Sequence, residues 1–396
     1  MSDEAQGRDT AGLIEHGADS GRLALDTEFM GEGRYRTLLC LIQLAVPDDV
    51  AGVDAIAIVD PLEGPADPGG LAEALEDPEV RIVVHSGRQD IALLRRELRC
   101  EVSNIFDTQV AAGFAGMGAQ SSYDSLLTEV LGLKVAKTAS FTRWDQRPLS
   151  AEQVSYARED VVHLLELADE LEGRLERLGR LDWALEECRA LSRVSDERDP
   201  TTILERLPRV GGLNAPARAI ARELVEWREA TAERQNRPVQ SVLSDAGLVE
   251  VARRRPKSAD DLARIRGIGA SAQGRRAREL LDAVGRGRHR PEEPATQSTR
   301  PAQPKAEDLP LVSVCEALVR TRAREAGMAY ELLASKADLQ SIVAAVRTGA
   351  EPPDVRTLRG WRGDLVGREL LELLDGGVRL SVEQAGGTRR LRIERG

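Results

Sequence analysis

Cysteine is scarce in this chain and scattered where it occurs. Cys40, Cys100, Cys188 and Cys315 are the only four in 396 residues, and no two form a C-x-x-C. That spacing offers neither a disulfide framework nor a zinc site, and it suits a reducing compartment. Long apolar runs are missing too: none approaches the roughly 20 residues that cross a bilayer. The opening MSDEAQGRDT is acidic and polar, unlike a secretory signal. A cytoplasmic protein without a membrane partner is therefore expected. Lysine is nearly absent, at five of the 55 basic residues, a bias that reflects a GC-rich genome more than any function. What is present is 41% hydrophobic and 31% charged residues, the balance of a soluble globular protein, in a chain long enough for two or three domains.

The net charge of −11 argues at first against a nucleic-acid partner. The charge is segregated, however. Residues 1–180 carry 17 Lys and Arg against 33 Asp and Glu, a net of −16, whereas residues 251–290 carry 12 against 4, a net of +8. An acidic front and a basic patch are two different devices.

Residues 1–10 read as disordered. Three strands follow in RLALDTEF, TLLCLIQLAV and AIAIVD, then a helix over 68–76 stopped by Asp77-Pro78, then the strand VRIVVHS. The segments RQDIALLRREL, DTQVAAGFAG and SLLTEVLG read as helices, and 134–148 as a loop. A long helix is expected over 150–178, with Ser150 as N-cap and Gln153 completing a capping box. This pattern predicts an α/β domain with a mixed sheet over 11–190. After a connector at 191–214 the chain reads as all-helical over 215–286. A linker rich in Pro, Ser, Thr and charge follows at 287–309, then a second helical unit at 310–375 and a C-terminal β-hairpin or tail at 376–396. The two helical units share a layout, which points to internal duplication.

The stretch LALDTEF sets two carboxylates two residues apart in an apolar run. On a strand, Asp26 and Glu28 point to one face while Leu25, Thr27 and Phe29 point to the other. Like charges so placed repel, and burial worsens the repulsion. An edge strand with a solvated acidic face is the bland alternative. Functional carboxylates need partners, and two candidates follow. Asp90 opens a helix after VRIVVHS, and Asp160 lies one helical turn beyond Tyr156 in SYAREDVVHLL, so phenol and carboxylate share a face. Singly, each has a structural explanation, as a helix-terminal acid, a solvated side chain or a packing ring.

Together, the D-x-E strand, the Asp after H-S-G-x-x and the Y-x-x-x-D helix resemble the three motifs of the DEDDy superfamily of 3′–5′ exonucleases. More narrowly, LALDTEF, YRTLLCLIQLAV, HSGRQDIALL, IFDTQVAAGF, FTRWDQRPLS and YAREDVVHLLEL resemble the ribonuclease D family over residues 20–180. The helical units, about 215–285 and 311–375, resemble the two HRDC domains of that family, the second more loosely. The resemblance implies a ribonuclease H-like exonuclease domain followed by two all-α modules. It implies a monomeric enzyme that removes nucleotides singly from RNA 3′ ends, acting on tRNA precursors and other small structured RNAs.

The same resemblance assigns the acids. Two divalent ions, Mg²⁺ or Mn²⁺, about 3.5–4 Å apart would stabilise the attacking and leaving oxygens of a phosphodiester, and oxygen ligands suit them. Asp26 bridges both ions, Glu28 and Asp160 complete the first, Asp90 supports the second through water, and Tyr156 orients the attacking water. Gln43 and Asp107 are candidates for outer-layer or substrate contacts, while His85 and His163 read as structural. Lys134, Lys137, Arg143 and Trp144 in the loop before the Tyr156 helix combine cations with an aromatic, a pairing suited to phosphate and base. In the basic region, Arg253, Arg254, Arg255 and Lys257 in ARRRPK, Gly267 and Gly269 in the RIRGIGAS turn, and Arg275 and Arg276 form the expected phosphate-binding surface. The rival readings are a 3′–5′ DNA exonuclease, separable by contacts to the 2′-OH, and a non-catalytic RNA-binding scaffold.

Overall fold

Alternation of apolar and polar residues near the N-terminus resolves into a five-stranded sheet in the computed structural model, which describes residues 10–47, 54–67, 69–134, 143–268, 274–291, 305–385 and 388–396. The strands are β1 (Arg22–Met30), β2 (Leu38–Val46), β3 (Ala55–Val59), β4 (Arg81–Val84) and β5 (Ile105–Asp107), in the order β3-β2-β1-β4-β5. The β1–β2 and β2–β3 pairs are antiparallel and the β1–β4 and β4–β5 pairs parallel, so the sheet is mixed, as expected. β5, only three residues long, is not among the strands read from the sequence, and its last residue, Asp107, opens the segment DTQVAAGFAG that the sequence reads as helix.

Both faces of the sheet are covered. Leu23, Leu25, Ile42 and Leu44 face a core shared with helices α1 (Thr10–Asp19), α2 (Leu71–Glu76) and α3 (Arg88–Leu98). α2 starts at Leu71 rather than at residue 68, and Pro68 lies outside the described residues. Ala24, Ala45, Val83 and Phe106 on the other face pack beneath α4 (Thr108–Phe114), α5 (Tyr123–Leu126), α7 (Leu164–Leu178) and α8 (Leu181–Arg189). The helix expected over 150–178 is two. α6 (Ala151–Glu159) begins at Ser150 with the Gln153 capping box in place, and the chain then turns at 160–163 before α7. His163, at φ −116° and ψ 11°, breaks the helical path.

The segment read as a connector carries α9 (Pro200–Arg206). Leu204, Leu207, Val210 and Leu213 enter the core of the first helical unit, so the connector is part of that unit's packing. That unit comprises α10 (Ala215–Gln235), α11 (Val239–Val242), α12 (Asp245–Arg254), α13 (Ala259–Ala263) and α14 (Gly274–His289). α14 runs through the first residues assigned to the linker. The second unit contains α15 (Leu309–Ala326), α16 (Tyr330–Leu333), α17 (Lys336–Thr348), α18 (Gly360–Arg362) and α19 (Arg368–Leu374). The units repeat one plan: a long helix closed by a left-handed residue, Asn236 or Gly327, then a four-residue helix, then a helix capped by Ser244 or Ser335.

The second unit is fused to the sheet domain by an apolar core. Trp361 stacks on Trp183 of α8 at 4.8 Å and meets Phe114 of α4 edge-on at 5.3 Å. Ala329 N donates to Gly113 O at 3.0 Å, and Glu187 accepts ion pairs from Arg356 and Arg362. Strands β6 (Val378–Ala385) and β7 (Thr388–Arg395) pair antiparallel at the C-terminal end, and Gly386 and Gly387 between them lie outside the described residues. Among the described residues no helix is long and apolar enough to cross a membrane.

Candidate active site

Strand period alone places Asp26 and Glu28 on one face of β1. α6 and the turn after it place Asp160 opposite them. One carboxylate oxygen from each of the three lies within 4.8 Å of the others. A pair of unit charges at that separation repels by about 3–4 kcal/mol even at an effective dielectric near 20. The acid–base balance of the trio shows the strain. Burial, followed by Asp90, Asp160 and Glu28, raises Asp26 well above the ordinary carboxylate range. Burial and then Asp160 and Asp90 push Glu28 up to about 8. Asp160 is raised to about 7 by burial and then by Asp124 and Glu159.

Asp90 stands outside the trio. It is buried in the first turn of α3 and accepts a hydrogen bond from Oγ1 of Thr27, the residue between the two acids in the sequence of β1. Burial lifts its pKa to about 6 against the opposing effect of that bond. Asp107 fixes the geometry that delivers α3. Its carboxylate caps α4 through Gln109 N and Val110 N and also accepts from Ser86 N (3.0 Å) and Gly87 N (2.9 Å) in the turn leading into α3. Asp107 is thus a structural clamp beside the site.

Tyr156 sits one turn before Asp160, whose N–H donates to Tyr156 O at 3.2 Å. Burial, then Asp160, Glu28 and Asp26, holds its phenol above the ordinary tyrosine range. Its ring lies 6.0 Å from that of Trp144. Trp144 itself is 2% exposed and packs with Cys40, Leu41 and Ala157, so the expectation that it stacks on a base is corrected: it supports the tyrosine. The segment that carries it is anchored by Arg147, which donates to Trp144 O (2.8 Å), Cys40 O (3.0 Å) and both oxygens of Asp60.

Two residues not singled out as catalytic complete the picture. Gln43 faces Asp26 directly across the β1–β2 ladder, is fully buried, and has no hydrogen-bond partner for either amide atom among the described residues. Tyr123, whose ring lies 5.7 Å from His85, has its phenol raised by burial and by Asp160 and Asp26. His85 bonds Thr108 Oγ1 (2.9 Å) and His163 pairs with Glu166 (3.4 Å), both structural roles.

The donor set fits divalent cations. Three mutually repelling carboxylates supply hard oxygen ligands, and among the described residues none of them joins an ion pair with a basic side chain. Other buried or partly buried acids of this chain do have such a partner, as Asp60 has Arg147 and Glu229 has Arg198.

The basic candidates are less uniform. Lys134 is exposed; Lys137 and Gly269 lie outside the described residues. Arg143 is exposed and bonds Asp145 (3.1 Å). Arg253 and Arg254 share Glu250, at 2.8 and 2.6 Å, while Arg275 pairs with Glu279 and Arg276 bonds Gln235. Gly267 takes a left-handed φ of +87° in the turn after α13. Arg254, Arg255, Lys257 and Arg264, the last not anticipated, line a cleft of about 540 Å³ with Pro256 and Asp261.

Comparison with known proteins gives one consistent result. Residues 6–176 match the family model of a 3′–5′ exonuclease domain, and residues 217–284 match that of an HRDC domain. A ribonuclease D of Granulibacter bethesdensis is 38% identical over 91% of this chain and 89% of its own. That of Gluconacetobacter diazotrophicus is 37% identical over 97% and 95%. The crystal structure of Escherichia coli RNase D, described as an exoribonuclease involved in structured RNA processing, superposes with a TM-score of 0.76 at 27% identity, over 92% of this chain and 96% of that one.

Proposed function

Because the chain belongs to the ribonuclease D family and is a 3′–5′ exoribonuclease, we propose that it releases nucleoside 5′-monophosphates singly from the 3′ ends of structured RNAs, tRNA precursors among them. The observation that supports this most directly is the trio Asp26, Glu28 and Asp160, whose oxygens converge within 4.8 Å without a counter-charge among the described residues. Asp26 would hold both of two divalent cations, Glu28 and Asp160 the first, and Asp90 the second. Mg²⁺ or Mn²⁺ bound there supplies the positive charge that stabilises the attacking and leaving oxygens of the phosphodiester.

The protein's own groups do the rest. Tyr156 orients the attacking water with its hydroxyl; a phenol, whose ordinary pKa is about 10, is protonated at neutral pH and donates a hydrogen bond rather than accepting a proton. Trp144 and the Arg147–Asp60 pair keep the Tyr156 ring in place. Thr27 fixes Asp90 through its hydroxyl. The cleft lined by Arg254, Arg255, Lys257 and Arg264 in the first helical unit binds the phosphates of structured substrates, a task for which the acidic front domain is unsuited.

The units assigned are an exonuclease domain over 11–190, a first HRDC domain over 215–286 and an HRDC-like second unit over 310–375, working as a cytoplasmic monomer. The deciding experiment offers matched 3′-labelled and 5′-labelled RNA and DNA strands with Mg²⁺, Mn²⁺ or EDTA. Stepwise shortening of 5′-labelled RNA, abolished by EDTA, is expected. Preference for DNA would overturn the substrate class, and equal shortening in EDTA would overturn the role of the acids.

A further inference from the structure

The loop at 31–37 begins directly after the strand that bears Asp26 and Glu28. Little inside it fixes its shape. It holds two glycines, Gly33 at a left-handed φ of +73°, and a single internal backbone bond, Arg34 N to Gly31 O at 3.3 Å. The strand itself is irregular at this end, because its register with β2 shifts between Glu28 and Phe29. A bulge re-aims the side chains beside it, so the direction of Glu28 depends on how the chain beyond the bulge is held.

It is held from outside. Tyr35 reaches into the first helical unit: its hydroxyl donates to Glu229 Oε2 at 3.1 Å, and its N–H donates to Asn236 Oδ1 at 3.2 Å. Glu229 is buried and also bound by Arg198, whose guanidinium lies 5.5 Å from the centre of the Tyr35 ring. The flanking residues reach the other parts of the site. Arg34 Nη2 meets Asp145, next to the Trp144 that supports Tyr156, at 3.4 Å. Thr37 O accepts from Arg96 Nη2 of α3, the helix that bears Asp90, at 2.6 Å.

We propose that Tyr35 is a positioning residue for the hydrolytic site, through which the first helical unit holds the strand that carries Asp26 and Glu28. This rests on the exonuclease reading of the acids. It gives the helical unit a second task besides capturing RNA: α10 and Arg198 complete the geometry of a centre to which they contribute no ligand.

The test uses the full-length protein and three variants. Tyr35→Phe removes only the hydroxyl, and Tyr35→Ala removes the ring. Asn236→Gly removes the acceptor for Tyr35 N while suiting the left-handed conformation that Asn236 adopts at the end of α10. Each is assayed with a short unstructured RNA and Mn²⁺, well below its melting temperature, alongside calorimetric Mn²⁺ titration without RNA. Tyr35→Ala and Asn236→Gly should lower kcat about tenfold, since an ångström of misplacement can cost up to about 10²-fold. KM should stay within about twofold, Mn²⁺ affinity should fall in parallel, and Tyr35→Phe should show a smaller effect in the same direction.

Unchanged kcat and Mn²⁺ affinity in folded variants would overturn the inference. So would a loss confined to KM, which would make Tyr35 an RNA contact. If Tyr35→Ala does not fold, Asn236→Gly and Tyr35→Phe decide. A wild-type protein that binds Mn²⁺ without trimming RNA would refute the exonuclease reading instead, and the Mn²⁺ titrations would still judge the clamp.

Discussion

Asp26 and Gln43 stand directly opposite each other on β1 and β2, and the amide of Gln43 is fully buried with neither of its polar atoms bonded to another described residue. Directly opposed residues in an antiparallel pair share a face, with Cβ atoms about 4.5–5.5 Å apart. An orphaned buried polar group costs about 1–3 kcal/mol. The chain carries that cost beside Asp26, whose carboxyl is held by burial well above its ordinary range, an arrangement expected of an amide that serves the loaded site. Gln43→Leu should therefore raise the metal-free melting temperature while lowering kcat. Thermal melts in EDTA and steady-state kinetics check both; a less stable variant with wild-type turnover would show that Gln43 merely fills space.

Asp26→Asn should abolish hydrolysis and leave the protein folded. It removes one charge from a cluster in which three carboxylates already repel one another, so the metal-free variant should melt at or above the wild-type temperature. Circular dichroism melts and end-labelled RNA assays make the comparison. Loss of folding together with activity would instead assign LALDTEF a structural role.

The same cluster sets a pH dependence with a definite sign. In the unfolded chain these carboxyls titrate near 4, whereas in the folded metal-free chain Asp160 titrates at about 7 and Glu28 at about 8. Between those limits the native state holds more protons than the unfolded one. The associated stability is fully present below about pH 4 and is lost as pH rises to about 8. Melting temperature in EDTA should drop by several degrees from pH 5.5 to pH 8, at about 2–4 °C per kcal/mol. Mn²⁺ should restore more of it at pH 8 than at pH 5.5. A flat profile in EDTA would count against the burial of these charges.

Tyr156→Phe keeps the ring against Trp144 and removes only the hydroxyl. It should reduce kcat by roughly 10²–10³-fold, the range for losing one preorganised hydrogen-bond donor in the transition state, with RNA and metal binding preserved. Single-turnover kinetics with separate binding titrations test it. An unchanged rate would leave the tyrosine as packing and Asp160, just after α6, as the functional group of this segment.

Much of this site was legible because short periods carry it. A period of two set Asp26 and Glu28 on one face, and a spacing of four set Tyr156 one turn before Asp160. What stayed hidden depends on contacts distant in sequence. The break at 160–163 interrupts an apolar helical pattern that runs straight through it. β5 is too short to show alternation. Trp144 reads as an exposed loop aromatic because nothing local announces that Arg147 will anchor its segment to Asp60, 87 residues away. Tyr35 carries no motif, and its partners Arg198, Glu229 and Asn236 lie far along the chain.

The division of labour between chemistry and capture can be tested only in the full-length chain. Cutting near Ala190 would remove Trp361 from Phe114 and Trp183, and Glu229 from Tyr35, so weakened activity would have two causes besides lost phosphate contacts. Charge reversal within the cleft avoids this. Arg255, Lys257 and Arg264 line it, whereas Arg253 already spends its charge on Glu250. Arg255→Glu, Lys257→Glu and Arg264→Glu together should weaken binding of a tRNA-like RNA and leave kcat on a short unstructured RNA close to wild type. Each phosphate contact contributes a salt slope of roughly 0.7–0.9 in log K, so the triple variant should lose up to about 2–3 of that slope. The affinity deficit should shrink as salt rises. Arg253→Glu alone should change the slope by less than one contact. Binding constants over a salt series for the three proteins decide the matter, and equal slopes for wild type and triple variant would move the electrostatic handle out of the first helical unit.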